Sequence, residues 1–137
     1  MKKSLLEQYA GAHYIRDILR FSSTLIDSGI LSGAEVNEFL GTKFLIPSPS
    51  CGTFDVRSFL QIFETLENSA RSYWNDGYTP YDHPYQSRVC SFLLERLNSY
   101  LLVKHLAKEN HAFKDVAGST IVISDGLRIG RGVVEGG

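Results

Sequence analysis

The sequence predicts a mainly α protein, a single-domain bundle of about four helices with a C-terminal β-hairpin. Two observations carry this. Apolar residues recur at steps of three and four through most of residues 4–110, the rhythm of helices with one buried face. Beyond Glu109 the rhythm stops, and β-branched residues flank an Asp125-Gly126 pair, a strong hairpin signal. A length of 137 residues suits one domain, 1–137, with a core that needs neither metal nor disulfide.

From Ser4 to about Asp27, Leu5, Leu6, Tyr9, Ala12, Ile15, Ile18, Leu19, Leu25 and Ile26 predict one long helix that stops at Gly29. A short second helix follows. Ser32 and Glu35 have the spacing of a capping box, Leu31 and Val36 supply the apolar staple, and Gly41 ends it. Pro47, Pro49 and Gly52 mark the next stretch as a linker.

A third helix is expected from about Phe54 to Trp74, on Val56, Phe59, Leu60, Phe63, Leu66, Ala70 and Tyr73, capped by Thr53 or Asp55. The fourth, opened by Asp82, His83 and Pro84, carries Cys90, Leu93, Leu94, Leu97 and Leu101, with Phe92, Tyr100, Val103 and Leu106 beside them. Its wide apolar arc predicts the central helix. The hairpin is expected at about 119–134, with strands Thr120–Ser124 and Leu127–Val134. An isolated hairpin is marginal in water, so it must pack on the helices or pair with another chain. Its Ile- and Val-rich edge favours a homodimer, and Arg128 and Arg131 offer contacts to an acidic partner.

Fourteen basic side chains against fifteen acidic ones give a formal charge of -1, so no overall field draws the chain to nucleic acid or an anionic membrane. No apolar run approaches the ~20 residues of a membrane span. The start M-K-K-S-L-L-E-Q has only two leucines behind its lysines, which is no signal peptide. Cys51 and Cys90 show no metal or disulfide spacing, so a cytoplasmic protein with reduced thiols is expected.

Residues 73–85, Y-W-N-D-G-Y-T-P-Y-D-H-P-Y, hold four of the seven tyrosines and the only tryptophan. Tyr73 and Trp74 finish one helix, and Asp82, His83 and Pro84 begin the next. What lies between reads as a recognition loop, because tyrosine and tryptophan give large rigid contact area at low entropic cost. Trp74, Tyr78, Tyr81 and His83 are the expected binding residues for a partner protein or small ligand over 74–83. The leading expectation is a small non-enzymatic interaction protein without a cofactor.

Two other chemistries have candidates. Cys51 lies at the expected entrance of the third helix, where the dipole lowers a thiol's pKa, and His105 and His111 follow it. Cysteine, then histidine, then the terminal Gly136-Gly137 resembles the layout of self-cleaving papain-like leader proteases of some RNA viruses. That resemblance implies Cys51 as nucleophile and His105 or His111 as its partner. Gly52 departs from the pattern, since the family usually places an aromatic residue directly after the nucleophile. His13 and Asp17, four apart, would share a helix face and suit a metal, with Arg16 and Arg20 competing for Asp17. A helical bundle with a small-molecule pocket lined by Tyr14, Trp74 and Tyr78 is the third expectation.

Overall fold

The computed structural model describes residues 3–46, 49, 55–108, 120–123 and 129–132. It is mainly helical. Helix α1 (Leu5–Ala12) opens on a capping box in which Ser4 Oγ accepts from the Glu7 N–H at 3.2 Å and Glu7 Oε2 accepts from the Ser4 N–H at 2.8 Å. Helix α2 (Ile15–Asp27) follows after a break, where one helix was expected: His13 and Tyr14 are both extended. The physical reason lies in the phase of the apolar residues. At about 100° per residue, an unbroken helix would turn Leu5 and Tyr9 nearly opposite to Ile18, Phe21 and Leu25. All five are fully buried in one core, and the break makes that possible.

Helix α3 (Gly33–Gly41) has the expected capping box of Ser32 and Glu35. Its Thr42 carbonyl accepts from the Leu5 N–H at 2.7 Å, tying the end of α3 to the start of α1. Helix α4 (Val56–Asn75) is capped by Asp55, whose Oδ2 accepts from the Ser58 N–H and hydroxyl. A 3-10 turn (Gln86–Arg88) leads into α5 (Val89–Lys108), so the fourth expected helix starts later than Asp82. Helix α5 buries Val89, Leu93, Leu97 and Tyr100 in the same core and packs mainly on α4, whereas α2 touches each of the other α-helices, so the central place expected for this helix is held by α2. Ser99 also fixes the linker, accepting from the Ile46 N–H at 3.2 Å.

The helical frame lends no support to the hairpin expected over about 119–134. The Asp125-Gly126 turn lies outside the described residues.

Lys104 reaches back from α5 to Glu35 at 2.6 Å, and this bond with the Ser32 N–H holds the Glu35 carboxyl down to about 2. Folding therefore favours the charged form. The stability contributed is complete above the ordinary carboxyl value of 4.5 and disappears as the pH falls towards about 2. Melting temperature followed across that window is expected to fall less steeply in Glu35→Gln than in the wild type.

Candidate functional site

The aromatic segment turns at Gly77, whose φ of 84° suits glycine. Tyr78 then folds inward: it is buried, stacks on Tyr73 with centroids 4.8 Å apart, and donates to the Ser87 carbonyl at 3.4 Å. Tyr81 is half-buried. Its hydroxyl donates to Asp17 Oδ1 at 2.9 Å and accepts from Arg16 Nε at 2.8 Å, while its ring meets Tyr14 at 5.2 Å. His83 is exposed, and its Nδ1 accepts from the Tyr85 and Gln86 N–H groups at 3.2 and 3.1 Å. The imidazole, not Asp82, thus caps this end. Trp74 stays 55% exposed and meets the Tyr78 ring edge-on at 5.2 Å.

Much of this ring surface is packed against the α1–α2 break. Gln86 donates to the Ala12 carbonyl at 3.4 Å and pairs with His13 Nδ1 at 3.3 Å, and Tyr85 stacks on His13 at 5.4 Å. Tyr81 holds Asp17 and Arg16 on the other side. The break leaves backbone and side chains for the segment to satisfy. Replacing His83 by alanine removes the acceptor for two N–H groups and is expected to cost about 1 kcal/mol, measured by urea unfolding.

The break also separates the expected metal pair. His13 ends α1 and Asp17 lies in the first turn of α2, so they share no helix face. Arg16 bonds the Tyr81 hydroxyl and Arg20 the Asp76 carbonyl, where pairing with Asp17 was expected. Burial, the largest influence, lowers the His13 pKa. Among the described residues no cluster of three histidine, cysteine, aspartate or glutamate side chains is placed to hold a metal. Cys51, His111 and the terminal glycines lie outside the described residues. His105 lines a small groove with Gln61, Ile62, Thr65 and Lys104. Cys90 is half-buried on α5, and burial raises its thiol pKa, the reverse of nucleophile activation. Tyr14 lies on Tyr81 and Trp74 on Tyr78, so Tyr14 and Trp74 pack on different tyrosines.

The surface that stands out lies on α4. Its apolar residues form two adjacent stripes. Ile62, Leu66, Ser69 and Tyr73 face inward, and Leu66, Ser69 and Tyr73 are buried. Val56, Leu60, Phe63, Glu67, Ala70 and Trp74 follow alternating steps of four and three, a heptad seam, yet Val56 is 71% exposed, Leu60 59% and Phe63 43%. Beside this outer stripe, between α4 and α5, runs an open groove of about 610 Å³. Phe63, Leu66, Glu67 and Ala70 line one wall; Arg88, Ser91, Phe92, Leu94, Glu95 and Asn98 line the other. Both stripes step by four and three, so spacing alone places Val56, Leu60 and Phe63 on the helix without telling its exposed stripe from its buried one.

No family model, curated protein or solved structure matches this chain. The function must be argued from the surface itself.

Proposed function

We propose that this chain is a single-domain, non-enzymatic interaction protein of the cytoplasm that binds a partner helix along the outer stripe of α4 and the adjoining groove. One observation supports this reading above the others: large apolar side chains are exposed at heptad spacing on a helix whose adjacent stripe already serves the core. A heptad seam is built to be covered by another helix, and an open channel between two helices is the shape such a partner fills. Of the binding residues expected from the sequence, Trp74 belongs to this surface. Tyr78 and Tyr81 act in this proposal as its support, holding the end of α4 against the break. The hairpin expected over about 119–134 remains part of the proposal as an edge open to pairing.

The test uses the dye 1-anilinonaphthalene-8-sulfonate, which brightens on exposed apolar surface. Emission is expected to rise with dilute wild-type protein and to lose most of that rise in Leu60→Glu and in Phe63→Glu, with circular dichroism unchanged. Unchanged dye binding in both folded variants would refute the reading.

A further inference from the structure

Resting on that reading, we propose that the helix covering the outer stripe of α4 is α4 of a second copy of this chain, antiparallel to it and related by a two-fold axis passing close to Asn68. The argument comes from charge. Along the outer flank of the α4 seam, Arg57, Glu64 and Arg71 are exposed one heptad apart, about 10.5 Å at 1.5 Å per residue, with alternating sign.

An antiparallel copy offset by one heptad brings Glu64 to the partner's Arg71 and Arg71 to the partner's Glu64. In the same offset Phe63 lies beside the partner's Trp74, and Glu67 beside the partner's Ala70. Without the offset, Glu64 meets its own equivalent and Arg57 meets the partner's Arg71, so like charges oppose that register. A parallel copy sets the charged row against the Phe59, Leu66 and Tyr73 side of the seam and gains no pairing.

A two-fold axis repeats the Glu64–Arg71 contact on both sides of the seam, as a self-complementary interface requires. Glu67 already pairs with Arg71 at 2.7 Å, and at the centre of the seam it has the character of a polar residue that fixes register.

The experiment is sedimentation velocity on the full chain over a concentration series. The wild type is expected to show a reversible dimer. Glu64→Arg and Arg71→Glu should each weaken it by about tenfold or more, since each makes both symmetric contacts repulsive. Mixed together, the two variants present opposite charges at both contacts and should form a mixed dimer of wild-type strength. Phe63→Asp should be monomeric, with its melting curve as the check on folding. A wild type that is monomeric at every concentration overturns the second copy. If that monomer still binds the dye through Phe63, the groove reading stands and its occupant is a different protein's helix. A dimer that survives Phe63→Asp but is lost in Ile123→Asp also overturns the inference and moves pairing to the hairpin. Mixing without recovery refutes the register.

Discussion

Tyr73→Ala is expected to destabilise the protein by about 3–5 kcal/mol, the range for truncating a fully buried aromatic side chain. The ring has no exposure, meets Phe21 edge-on at 5.3 Å and stacks on Tyr78, so alanine opens a cavity between α2, α4 and the aromatic segment. Against a typical stability of 5–15 kcal/mol, that loss is large. Tyr73→Phe is expected to behave differently. The Tyr73 hydroxyl is buried with no hydrogen-bond partner among the described residues, and burial, its main influence, raises its pKa. Removing an unpaired buried hydroxyl while keeping the ring relieves a desolvation cost, so the phenylalanine variant should match or exceed the wild type. Urea unfolding followed by circular dichroism separates the two outcomes. A phenylalanine variant as damaged as alanine would mean that the hydroxyl, and not the ring, holds the site.

The second large effect concerns Arg96, which is buried on α5. Gln8 Oε1 accepts from Arg96 Nε at 3.0 Å and from Nη2 at 2.6 Å, the Phe92 carbonyl accepts from Nη1 at 2.7 Å, and the guanidinium sits 4.9 Å from the Tyr9 ring centroid. Burial lowers its pKa, which expresses the strain of holding a charge there. Gln8→Leu removes the acceptor shared by two donors and is expected to cost about 2–3 kcal/mol. Adding Arg96→Met to that variant should recover most of the loss, because a buried charge and its orphaned donors leave together. The double-mutant cycle measures this directly. Additive losses would show that Gln8 and Arg96 act separately.

The elements built on local chemistry were legible in the sequence. Ser32, Glu35 and Gly41 define α3 through contacts within a few residues, and Asp55 does the same for the start of α4. The break at His13–Tyr14 was not read, although the half-turn between the Leu5/Tyr9 phase and the Ile18/Phe21/Leu25 phase was there to be measured. What stabilises the break comes from Tyr81, Tyr85 and Gln86, more than sixty residues away, and no local pattern announces such contacts. The same distance hid contacts of the aromatic segment: Tyr81 bonds Asp17 and Arg16, and Tyr85 and Gln86 meet His13. On α4, apolar spacing alone did not say which of two neighbouring stripes would be covered. That depends on where α2 and α5 lie.

Trp74 is the chain's only tryptophan, and it closes the exposed seam while its indole rests against Tyr78. The protein therefore carries an optical gauge of the surface proposed to bind. With the indole half in water, the isolated chain should emit at long wavelength, and covering the seam should move that emission towards the blue without any attached label. Because no other indole contributes, the fraction of molecules with an occupied surface can be read from a single spectrum.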